Sequence, residues 1–237
     1  MGKTEFKYFT FPVSVLQSGS IHIKNTCFMM VHYSVYHHAN TLKLGDLKQK
    51  EQSAANFLNV SLNNAPLITY RQGERVANLT PPQTPKVSLK TDLVWDFPKN
   101  DKTEFEIAVF LAFAAFKSIL GGKAYSKTNN AMLLARMAGQ TKPGEPLPPE
   151  VEKYNNRYQL EKIKNELRLN WNLQIYGRHT QGFYFSFKMD IKQLVMAAEE
   201  KRYRYKLKQI SEAQNEAYNH AIKQLYGKND NNTTTTP

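Results

Sequence analysis

The sequence holds a single cysteine, Cys27, among 237 residues. Neither an internal disulfide nor a four-cysteine zinc site can be built from it, and a reducing cytoplasmic setting is expected. Long hydrophobic runs are also scarce: the longest, Ile107 to Phe116, is ten residues held between Glu106 and Lys117. A membrane-spanning helix needs roughly twenty, so this run predicts a helix buried in a core. The opening Met1-Gly-Lys-Thr-Glu5 lacks the charged start and apolar stretch of a secretion signal, and none is expected. Without one, the triplets Asn59-Val60-Ser61 and Asn78-Leu79-Thr80 read as chance matches to a glycosylation site. Acidic residues are the last shortage, 20 against 32 Lys and Arg, for a formal charge of +12. Anionic partners are therefore expected.

Aromatic residues are plentiful. Thirteen Phe, 13 Tyr and two Trp, with 41% hydrophobic residues overall, exclude a disordered chain and suffice for one or two packed domains. The charge is unevenly spread. Residues 153–206 carry 12 Lys/Arg against 5 Asp/Glu, whereas residues 103–152 carry 5 against 5. Such clustering makes a local positive field suited to phosphate backbones, although a solvated face that only keeps the protein in solution has the same composition.

Two proline-rich stretches, at residues 78–86 and 142–150, can be neither helix nor central strand. The first predicts a boundary after a helix-rich N-terminal domain at 1–80, and the second a long loop. Within that domain, helices are expected over 24–40 and 46–59. Leu67 to Tyr70 and Arg75 to Leu79 are expected to pair as short strands around Gln72-Gly73.

After the boundary, Thr103 is the expected N-cap of a helix over 104–120, closed by Gly121 and Gly122. A second helix is expected over 127–138, capped by Ser126 and ending at Gly139. A third, over 152–169, buries Leu160, Ile163, Leu167 and Trp171, the last three each within about 60° of Leu160 at 100° per residue. Arg157, Lys164 and Arg168 flank that stripe. Residues 172–176 and 183–188 alternate and are rich in aromatics, predicting a β-hairpin with a basic tip and a glycine, Gly177 and Gly182, at each end. A long helix over 190–226 follows. In it Tyr203, Leu207, Ile210, Gln214, Ala217 and Ala221 form a seam fit to pack along another helix, either of a second copy or of the N-terminal domain. A disordered tail is expected over 227–237.

Helix, helix, loop, charged helix and hairpin in that order resemble the winged-helix branch of the helix-turn-helix DNA-binding proteins. The matching residues are Lys127 to Gly139 as supporting helix, Tyr154 to Leu169 as third helix and Leu173 to Phe187 as wing, within a winged-helix domain at 91–189. The resemblance implies a mainly helical fold with small β-hairpins, the third helix entering the major groove and the wing lying along the backbone. It implies that Tyr154, Asn155, Tyr158, Lys162 and Asn165 face base edges, Asn pairing with adenine and Lys reaching guanine acceptors. Lys127, Asn129, Asn130, Arg157, Lys164, Arg168, Arg178 and His179 would meet phosphates. The link between the second and third helices departs from the family pattern, being about a dozen residues where a simple helix-turn-helix has three or four. Some plasmid initiators resemble this architecture with two winged helices in tandem, and the N-terminal domain is expected to supply the other unit.

Metal and enzyme readings find little support. His32, His37 and His38 on the first helix are not spaced i, i+4, and His22 lies before it. Gly121-Gly122-Lys123-Ala124 lacks both the first glycine and the hydroxyl of a phosphate-binding loop. Cys27 lies in an apolar run and is expected to be an inert buried thiol. The expectation is thus a non-enzymatic protein without cofactor that binds double-stranded DNA, as a plasmid- or phage-type replication initiator or a transcriptional regulator of a mobile element. A protein-interaction module and an RNA-binding protein are the alternatives. No membrane association is expected, since the tyrosines and alanines of the last helix give only a narrow apolar face.

Overall fold

A computed structural model describes residues 8–18, 23–62, 64–177 and 182–226. Residues up to Met189 form one compact unit and those from Asp190 onward a second. The fold is mainly helical with small antiparallel sheets.

The first unit opens with β1 (Tyr8–Pro12), which pairs antiparallel with β2 (Lys86–Lys90). Alternation sets the inward face: Phe9, Phe11, Val87 and Leu89 are buried while Tyr8, Ser88 and Lys90 look outward. A 3-10 turn (Val13–Ser18) leads towards α1 (Ile23–Thr41), followed by α2 (Leu47–Leu58) and α3 (Asn64–Asn78). The Ser34 hydroxyl on α1 donates to the carbonyl of Thr10 on β1 at 2.9 Å, tying helix to strand.

α3 corrects the expected hairpin. Gly73 does not turn the chain; it is where α3 presses on α1, and a Cβ there would stand 2.0 Å from the His32 carbonyl oxygen. Helical packing of α1 on α3 overrides the turn preference of Gln72-Gly73, and the hairpin expected of a second winged unit is absent.

The prolines of the first linker do not separate two cores. Pro81, Pro82 and Pro85 lie in the turn that brings β2 back to β1, and α4 (Thr91–Lys99) then leads into α5 (Glu104–Leu120). α5 is apolar nearly all round and is buried from both sides. Phe110 packs against Phe97 of α4 with tilted rings at 4.1 Å, and Phe116 meets Phe185 of the later sheet at 4.7 Å. One cluster of buried residues therefore runs from Phe9 to Phe185, across the boundary expected after residue 80. Thr103 caps α5 as expected, in a reciprocal box with Glu106.

The remainder of the unit is β3 (Ser126–Thr128), α6 (Asn130–Met137), a proline-rich loop, the short α7 (Pro149–Glu152), α8 (Arg157–Asn170), β4 (Gln174–Tyr176) and β5 (Phe183–Ser186). The three strands form one antiparallel sheet in the order β3-β5-β4. β3 replaces the first turn of the helix expected from Lys127, because Ser126, Lys127 and Thr128 pair with Phe185, Tyr184 and Phe183. Asn129, not Ser126, then caps α6. The hairpin appears where expected. Gly182, at φ +97°, is required there, since a Cβ would lie 2.2 Å from the Thr128 carbonyl oxygen.

The second unit is α9 (Ile191–Tyr226), opened by Asp190, whose carboxylate accepts from the Gln193 amide at 2.8 Å. The tail expected to be disordered, 227–237, lies outside the described residues. No helix among the described residues is long and apolar enough to cross a membrane.

Candidate nucleic-acid interface

α8 decides which cations are presented to solvent. Asn156 caps it, its side chain accepting from the Gln159 amide, so the helix begins at Arg157 and not at Glu152. Four preceding residues form a turn after α7, and the single long helix expected over 152–169 is broken there. Leu160, Ile163 and Leu167 are buried against α5, as their spacing requires, with Trp171 partly covered and 4.7 Å from Phe113.

The outward face carries Tyr158, Lys162 and Asn165. Tyr158 is 75% exposed, and the Lys162 ammonium lies over the Phe105 ring at 4.8 Å while its residue stays exposed. Arg168 is also exposed and donates to Asn165 Oδ1 at 2.8 Å, with Glu161 Oε2 4.0 Å away. Arg157 is exposed at the first turn.

Other assignments do not survive. Tyr154 is buried, not base-facing: it belongs to the turn before α8, and its hydroxyl donates to the Glu104 carbonyl at 3.3 Å. Burial pushes its phenol up, against the nearby Lys153 charge, which pulls it down. Asn155 is exposed but off the helix, donating to Glu152 Oε1 at 3.0 Å. Lys164 is buried, not phosphate-facing. Mid-helix, opposite the start of α6 and β5, it donates to Asn130 Oδ1 and Glu161 Oε1, both at 2.9 Å, and sits 4.6 Å over the Phe183 ring. Asn130 is correspondingly occupied. Asn129 spends its Oδ1 on the Met132 amide at 2.8 Å, so the N-terminal donors of α6 are in part already satisfied.

On the sheet, Lys127, Tyr184 and Tyr176 form a row across the three strands, with Lys127 exposed and its ammonium 6.0 Å from the Tyr184 ring. Arg178 and His179 lie outside the described residues. The loop between α6 and α7 is exposed from Thr141 to Pro146 and folded on itself, Gln140 donating to the Pro146 carbonyl at 2.9 Å. Leu169 was missed. It is 80% exposed, and the same 100° steps place it between Lys162 and Asn165.

No group of His, Cys, Asp and Glu able to hold a metal occurs among the described residues. Cys27 is fully buried, and desolvation pushes its thiol up to about 12, so it is inert. The arrangement presents cations, amides and a phenol on one helix face beside a small sheet. No family model, curated protein or solved structure matches the chain.

Proposed function

We propose that residues 104–188 act as a winged-helix unit that binds double-stranded DNA, with α8 in the major groove and the β4–β5 hairpin along the backbone. The observation that carries this reading is the order of the sheet. A strand between the first two helices pairs with the last strand of the unit, β3 with β5, and β5 with β4. That register joins the hairpin to β3, the strand directly before α6, and the Tyr158–Lys162–Asn165 face of α8 is exposed. Lys162 and Asn165 supply the donors that base edges recognise, with Tyr158 beside them, while Arg157, Arg168 and Lys127 supply charge for phosphates. A replication initiator or transcriptional regulator of a mobile element is the kind of protein that uses such a unit.

A salt titration tests it. With the phosphates met by Arg157, Arg168 and Lys127 neutralised, log affinity for a duplex falls with log salt at a slope of about −2.7 between about 50 and 200 mM. Binding without salt dependence, or none to any duplex, would falsify the reading. It would favour the alternative, a protein-interaction surface, for which the exposure of Tyr158 and Leu169 on the same face is the specific argument.

A further inference from the structure

From Lys201 to Leu225, every side chain of α9 is exposed or half-exposed. A lone helix is marginal in water without a packed apolar face. Tyr203, Leu207, Ile210, Gln214, Ala217 and Ala221, spaced by alternating fours and threes, supply such a face within about 80°. The seam is graded in size at its ends: Tyr203 and Leu207 come first and Ala217 and Ala221 last, with Ile210 and Gln214, of similar size, between them. Charge is graded with it. Lys201, Arg202, Arg204, Lys206 and Lys208 outweigh Glu199 and Glu200, which pair with Arg202 and Arg204, in the first part, whereas beyond Lys208 the helix carries only Glu212, Glu216 and Lys223.

We propose that the seam is covered by a second copy of this chain, the two α9 helices running antiparallel with Tyr203 against Ala221, Leu207 against Ala217 and Ile210 against Gln214. A parallel pair would set each large residue against itself and bring together two segments, 199–208, in which five cations outweigh two carboxylates for a net charge of +3, well inside the Debye length of about 10 Å. The antiparallel pair sets large against small in the Tyr203–Ala221 and Leu207–Ala217 layers and places each basic segment opposite Glu216 and Lys223, whose charges cancel. Knobs of unequal size then interdigitate in the outer layers of the seam.

The full chain should sediment at twice its mass of 27.3 kDa, and Ile210→Asp should return it to monomer while the helix persists by circular dichroism. Direction is read by cross-linking chains that each carry one new thiol. Mixed and oxidised, Tyr203→Cys and Ala221→Cys chains should join to each other, and neither should join to itself. In a parallel pair those two positions stand about 27 Å apart. Cys27 is fully buried and stays out of the exchange. A monomer at every concentration, a dimer indifferent to Ile210→Asp, or self-joined Tyr203→Cys chains would overturn the proposal. Because cross-linking leaves Ile210 in place, it decides the matter even where the aspartate variant loses its helix.

Discussion

The Lys164 ammonium on α8 donates to Oδ1 of Asn130, the first residue of α6, at 2.9 Å. The two helices that support and present the proposed reading face are thereby joined by a buried cation, whose other partner, Glu161, is on α8 itself. A lysine inside a basic segment is here a structural part.

Lys164→Gln should accordingly cost stability and not charge recognition. Loss of hydrogen bonds made by a buried charged donor is worth about 1–3 kcal/mol, so the melting temperature should fall by several degrees. The salt slope of DNA binding should stay unchanged. A reduced slope in a chain of undiminished stability would show that the ammonium faces phosphate.

Arg157→Ala is the converse. This exposed residue at the start of α8 should leave the melting temperature untouched and lower the salt slope by about one, weakening all sequences alike. Asn165→Ala should instead shift base preference. Arg168→Ala should do both, because its guanidinium also holds Asn165.

Protons should unsettle the N-terminal part. Burial holds His32, His37 and His38 on α1 below their ordinary 6.5, with Lys86 and His38 adding to the effect on His37. Above that value both folded and unfolded chains carry them neutral, so stability is flat. Below it the unfolded chain gains protons first, and stability falls as pH drops. Denaturant titrations at several pH values measure this, and a midpoint that rises on acidification would contradict it.

Gly73→Ala tests the helix that replaced an expected hairpin. The added methyl would stand 2.0 Å from the His32 carbonyl oxygen, forcing α1 and α3 apart at a cost of about 3 kcal/mol. Gly45→Ala, with nothing within 4 Å, is the control. Equal denaturation midpoints for the two variants would contradict the packing.

Local signals predicted elements well. The Thr103 cap, the Leu160–Ile163–Leu167 stripe, the hairpin, the apolar runs of α1 and α5 and the four-and-three spacing of α9 all depend on residues near one another in sequence. What escaped prediction depends on distant partners. β3 is three residues long, and only its pairing with β5 makes it a strand. α3 is helical because α1 lies against it, and the Asn156 cap that breaks the expected long helix was hidden in a run of polar residues. The proposed binding surface divided the same way: the 100° steps found the exposed Tyr158, Lys162 and Asn165 and should have included Leu169. Lys164 needed the positions of Asn130 and Phe183 to be seen as buried.

Photo-cross-linking tests the central claim most directly. A photoreactive phenylalanine placed at Tyr158 of the full chain should join to a bound DNA duplex on irradiation, while the same group at Ile68, exposed on α3, should not. Cross-links from Ile68 and none from Tyr158 would mean that DNA meets another face of the molecule and that α8 does not read it.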